Sequence, residues 1–305
     1  MKKVEQSATY RSVSHIETAG AGREGAGFSI LRPFPTRSLS YVDPFLLLDH
    51  MQPVPLQPGE AKGAPDHPHR GFETITYLLA GAMEHRDSVG HFGRLAAGDV
   101  QWMTAGAGVV HSEMPAPELL EKGGVLHGFQ IWVDLPAPLK MTAPRYQDLP
   151  SEKIPVALSS DGLTEVKIIA GESLGLKAPT RTHTPITLLH VKMAAGASFV
   201  QPIEPDHNAL VYIISGSGRF GPDGTKVDGT GKLLCFARDG FSIYLENEAV
   251  GSEEPLDLLV LAGKPLDQPL ARYGPFVMNS EAEIQQALLD FRSGKMGQIS
   301  GGAPN

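Results

Sequence analysis

From Gly27 onward the chain runs as short β-rich segments, each cut off by glycine, proline or aspartate before any helical period can develop. Residues 28–32, 45–49, 74–79, 93–96, 100–103 and 129–134 follow one another in this way. Short strands at near-regular spacing with turn residues between them fold as a barrel or sandwich. The composition supports the same reading: 34 glycines and 25 prolines are scattered along 305 residues rather than massed in one tract. With 41% hydrophobic residues the chain has enough apolar material for one large core or two smaller ones.

A proline-rich stretch, Leu135-Pro136-Ala137-Pro138 on to Pro144 and Pro150, marks a seam, after which strand-like runs resume at 166–170, 187–191, 209–214, 232–236 and 256–261. Tyr77-Leu78-Leu79-Ala80-Gly81 finds an echo in Tyr212-Ile213-Ile214-Ser215-Gly216, so the reading is an internal duplication. Expected is an all-β protein of two tandem barrels, residues 20–140 and 150–275, preceded by a polar arm up to about residue 20. The one convincing helix spans 280–294. Ser280 and Glu283 form a capping box, Ile284, Ala287, Leu288 and Phe291 share a face, and Gly294 stops it.

Several function classes drop out. Cys235 is the only cysteine, so no intramolecular disulfide forms, and a buried, inert thiol is expected there. Met1-Lys2-Lys3 is not followed by a signal-like apolar segment, and the apolar runs are far too short to cross a bilayer, so the cytoplasm is expected and no membrane partner. A net charge of -8 without a Lys/Arg stripe argues against direct nucleic-acid binding.

Eleven histidines are more telling. In an extended segment residues i and i+2 point to one side, so His67 and His69 can face one interior point. His111-Ser112-Glu113 repeats the spacing after the glycine-rich turn 104–108. One such pair is more often a solvated or hydrogen-bonded pair than a ligand set, but two at matched spacing reverse that balance. Three imidazoles and a carboxylate suit a divalent transition metal: iron, manganese, nickel, copper or zinc. A six-coordinate ion would keep two positions open for substrate and dioxygen. Spacing alone leaves a second carboxylate, Glu73, in contention, because simple alternation puts it on the face of His67 and His69. Arg70, Gln101 and Trp102 are expected beside the ligands, with Trp102 and Trp132 as core residues. In the second half, Pro205 stands where a partner for His207 would be, and His183, His190 and His207 are scattered.

Residues 67–81 resemble the first metal-binding motif of cupins and residues 98–115 the second. In this form the pair is similar to the signature of pirins, two-barrel members of the cupin superfamily. Asp43-Pro44-Phe45-Leu46-Leu47-Leu48-Asp49 and Gly274-Pro275-Phe276-Val277-Met278-Asn279 also look like pirin segments. The resemblance implies two tandem jelly-roll cupin barrels with a C-terminal helix packed on them. The first barrel would hold one Fe(II) on His67, His69, His111 and Glu113, in a ligand set open to other divalent metals, and the second would lack metal. It favours Glu113 over Glu73. Some pirins resemble quercetin 2,3-dioxygenases, which implies a small aromatic substrate, O2 as co-substrate, and Glu113 as the catalytic base for the flavonol hydroxyl. Others resemble iron-dependent regulators, which implies the alternative of redox sensing through a partner protein.

Overall fold

A computed structural model describes residues 9–249 and 255–299. Among these, almost all regular structure is extended; the α-helices are Pro117–Lys122, a six-residue element that the sequence reading does not anticipate, and Glu281–Arg292. Among the described residues no helix is long and apolar enough to cross a membrane. The chain divides into two compact units, Gly20–Lys153 with residues 266–299, and residues 9–19 with Ile154–Pro265.

In the first unit a seven-stranded sheet runs Arg145–Leu149, Val100–Thr104, Phe72–Ala80, Gly124–Asp134, Phe45–Leu56, Phe28–Phe34 and Gly20–Glu24, all antiparallel. A four-stranded sheet runs Ala64–His69, Val109–Pro115, Met83–Asp87 and Phe92–Leu95. Ile30, Met51, Leu78, Met83, Leu95 and Leu126 form one buried cluster of the unit. Phe72–Ala80 is an inner strand of the larger sheet and is buried on both faces from Phe72 to Leu78, the polar Glu73, Thr74 and Thr76 included.

The second unit repeats the pattern strand for strand. Its seven-stranded sheet runs Val13–Thr18, Lys232–Phe236, Asn208–Ser215, Leu256–Gly263, Ile186–Met193, Thr164–Ala170 and Val156–Leu158. Its four-stranded sheet runs Ser198–Pro202, Ser242–Glu246, Ser217–Phe220 and Thr225–Asp228, so first, fourth, second and third in chain order lie side by side in both units. These are two cupin barrels, with Tyr77 and Tyr212 buried on equivalent strands. On the two strands that correspond in sheet order to those carrying His67, His69 and His111, the second barrel buries Phe199, Gln201, Ile243 and Leu245 instead.

The ends of the chain depart from a simple tandem. The edge position filled by Arg145–Leu149 in one barrel is filled in the other by Val13–Thr18, which pairs with Lys232–Phe236. The expected polar arm is therefore partly an edge strand; its first eight residues lie outside the described residues. Residues 266–278, including the hairpin Ala271–Tyr273 with Phe276–Met278, belong to the first unit. Helix Glu281–Arg292 follows, with the Ser280 side chain accepting from the Glu283 amide. Ile284 and Ala287 are buried as expected, but Phe291 is 39% exposed and Asp290 takes the inner place instead. Its carboxylate meets the buried Arg70 guanidinium at 2.9 Å, so an ion pair occupies the end of the apolar stripe.

Candidate metal centre

The local sequence builds this site through two tight turns. Arg70-Gly71 separates strand Ala64–His69 from strand Phe72–Ala80, and Gly71 sits at φ +88, where a Cβ would lie 1.9 Å from the Val277 carbonyl oxygen. Gly106, at φ +51, would clash in the same way with Thr142 at 2.1 Å. The Gly71 amide donates to the Gly106 carbonyl at 2.8 Å, tying together the turns from which both histidine strands emerge. Only glycine fits such a close backbone approach at positive φ.

Strand Val109–Pro115 lies between Ala64–His69 and Met83–Asp87, with His111 opposite His67 on one side and Asp87 on the other. His67, His69 and His111 thus share the inner face, and ligand atoms from all three lie within 4.8 Å of one another. The His67 and His69 Nε2 atoms are 3.1 Å apart. His67 Nδ1 donates to the Pro65 carbonyl at 2.7 Å, which leaves its Nε2 lone pair free for the cluster. His111 Nε2 is buried without a hydrogen-bond partner. Burial holds His69 and His111 well below the usual histidine range, and the neighbouring imidazoles push further in that direction. Three imidazoles facing one point, two of them (His69 and His111) with a buried nitrogen that has no hydrogen-bond partner, fit a divalent transition metal.

The two carboxylates occupy different faces. Glu113 lies on the wall of the same cavity as His67 and His69, but its oxygens are held by protein donors. Thr76 Oγ1 donates to Oε1 at 2.8 Å, and Gln130 Nε2 donates to Oε2 at 3.0 Å. Glu73 does not share the face of the histidines, because the Gly71 turn breaks the alternation on which that expectation rests. It is fully buried and accepts from Thr104 Oγ1 at 2.6 Å; burial pushes its carboxyl up.

The cavity in front of the histidines measures about 540 Å³. Phe28, Leu47, Met51 and Met83 give it apolar walls, and Trp132 closes one side with His69 and Phe72 packed against its ring. Trp132 thus lines the cavity while also packing on the buried cluster of Leu46, Phe72 and Val277, and Trp102 is fully buried. Arg272 lies over the Trp132 ring at 5.0 Å, and Arg32 is neutralised by Asp49 and Glu24, each at 2.5 Å.

Sequence reasoning missed His85. Its Nε2 meets His111 Nδ1 and its Nδ1 meets Gln101 Oε1. The signal was available: His85-Arg86-Asp87 has the same i, i+2 spacing and lies on a strand beside His111. Of the residues expected nearby, Arg70 instead anchors the C-terminal helix, donating also to the Ala107 carbonyl at 2.6 Å. In the second unit His190 is bound to Asp257 at 2.5 Å, and Arg11 donates to the His207 carbonyl at 2.7 Å. Cys235 is half-buried, and burial raises its thiol to about 11.

Two family models match the chain: Pirin over residues 27–133 and the Pirin C-terminal cupin domain over residues 188–297. The mouse protein Pirin is 42% identical over 90% of this chain and 90% of its own length. A tomato pirin-like protein is 42% identical over 92% of this chain and 90% of its length. Among solved structures, a quercetin 2,3-dioxygenase from Acinetobacter baumannii superposes with a TM-score of 0.88 at 36% identity, covering 95% of this chain and 100% of that one.

Proposed function

The chain belongs to the pirin family, and on that premise we propose that it is a mononuclear-iron dioxygenase that opens flavonols such as quercetin with O2, holding Fe(II) on His67, His69, His111 and Glu113. The observation that carries this reading is the convergence of His67, His69 and His111 to within 4.8 Å, with His67, His69 and Glu113 on the wall of a cavity of about 540 Å³. The likeness to a quercetin 2,3-dioxygenase structure supports the substrate class. Bound Fe(II) supplies Lewis acidity toward a substrate hydroxyl and one-electron chemistry toward O2.

The protein's own groups do the rest. Phe28, Leu47 and Met51 take the flat aromatic body of the substrate out of water, and Trp132 bounds it on the side of His69. Glu113, facing the cavity, accepts the proton of the hydroxyl brought beside it. Thr76 and Gln130 hold the carboxylate in place for that transfer, so its approach is fixed before substrate enters.

The test is oxygen uptake by anaerobically iron-loaded protein on adding quercetin, with His111→Ala as control. Uptake matched by flavonol loss and absent in the variant is expected. Tightly held iron without uptake would overturn the oxygenase and favour redox-dependent capture of a partner protein.

A further inference from the structure

Behind His111 a line of side chains leads from the cluster to the surface. Gln101 Nε2 donates to Asp148 Oδ1 at 2.8 Å, Gln101 Oε1 meets His85 Nδ1, and His85 Nε2 meets His111 Nδ1. His85, Gln101 and His111 are buried, whereas the Asp148 side chain is 45% exposed. His91 lies 3.3 Å from the other Asp148 oxygen and stacks on Tyr146 at 4.1 Å; Tyr146 in turn packs edge-on against His85.

One set of proton positions satisfies the whole line. An ionised carboxylate only accepts, so the Gln101 amide group must face Asp148 and its carbonyl must face His85. That carbonyl only accepts, so His85 Nδ1 carries the proton. The neutral His85 ring then has a bare Nε2, which accepts from His111 Nδ1. His111 is left with its lone pair on Nε2, the buried atom that has no hydrogen-bond partner. Every link points the same way, from the ligand ring outward to a surface negative charge.

We propose that His85, Gln101 and Asp148 form a directed hydrogen-bond relay that fixes the Nε2-donating tautomer of His111 and strengthens it as a metal ligand. His85 is a positioning residue here, acting only through His111. The proposal rests on the metal-site reading above. A partner that accepts from the outer nitrogen of a ligating imidazole orients the ring and raises its basicity. The carboxylate at the far end adds electron density, which favours the more highly charged ion and lowers the reduction potential of bound iron.

Three measurements test it. In metal-free protein, 1H–15N spectra should place a proton on Nδ1 of both His85 and His111; a proton on His111 Nε2 overturns the relay whatever the metal does. In anaerobic Fe(II) titrations, His85→Leu should bind about 10- to 100-fold more weakly, while His85→Gln, whose amide can accept from His111 and donate to Gln101, should recover most of the affinity. His85→Leu binding like wild type, or His85→Gln as weak as His85→Leu, overturns it. Asp148→Asn should keep its iron but shift the midpoint potential upward, and an unshifted potential overturns the surface end of the relay. Matching near-UV circular dichroism of the metal-free variants excludes misfolding as the cause. Wild-type protein that takes up no iron would overturn the metal reading itself, a result distinct from any of these.

Discussion

Two carboxylates compete for the place beside the imidazoles, and their neighbours separate them. Glu113 opens onto the cavity, while Glu73 is sealed against Thr104 on another face. Glu113→Ala is expected to weaken iron binding at least about tenfold and Glu73→Ala to leave most of it, read as iron per chain after gel filtration. The reverse ranking would move the carboxylate ligand to Glu73. The buried histidines also set a pH dependence. Burial lowers His69, His85 and His111, so below their ordinary range the unfolded chain takes up protons that the folded chain refuses. Stability of the metal-free protein therefore falls as pH drops below about 6.5, by up to about 1.4 kcal/mol per unit for each such group. Raised carboxylates such as Glu73 work in the opposite sense, so the comparison is made against a His69→Asn, His111→Asn double variant. Urea unfolding at pH 7.5 and 5.5 should show a smaller loss in the variant; equal losses would contradict the assignment.

At the scale of elements, the turns that carry the ligand strands and the C-terminal helix were unequally visible. The capping box at Ser280 and Glu283 is local, and the structure reproduces it: Glu283 Oε2 accepts from the Asn279 amide at 3.0 Å while Ser280 caps the Glu283 amide. Ser280→Ala should cost about 1 kcal/mol in thermal or urea unfolding. Gly71→Ala should cost more, because it adds a strained φ of +88 to a carbonyl contact that has no room. A loss under about 1 kcal/mol would mean the Gly71–Gly106 tie yields easily. Phe291 leaves the face on which the helix reading put it, for a reason that periodicity cannot supply. A buried Arg70 requires a carboxylate, and Asp290 fills that need from the next position.

At the scale of the molecule, strand Val13–Thr18 completes the second barrel, and Arg11 secures its start. The Arg11 side chain is fully buried and donates to the carbonyls of Glu204, His207 and Gly240. Arg11→Ala strands those carbonyls and should destabilise that unit by about 2 kcal/mol or more. Hydrogen exchange should then rise across Lys232–Phe236 while iron binding by the first unit is retained. Unchanged exchange would show that the edge strand is held by its backbone ladder alone.

What depends on near neighbours is legible in the chain alone: the strand character of the runs, the paired i, i+2 histidines, the helix cap and the repetition of a barrel. A residue's own alternation and its adjacent glycines suffice for these. Tertiary structure alone decided which carboxylate turns to the cavity, that His85 stands behind His111, and that residues 13–18 close the distant barrel. The first depends on how the Gly71 turn reorients the next strand, and the second on a cross-strand register between Met83–Asp87 and Val109–Pro115. The third involves an edge strand with one solvated side, whose mixed sequence carries no apolar period. In each case the deciding contact joins segments that no local pattern links.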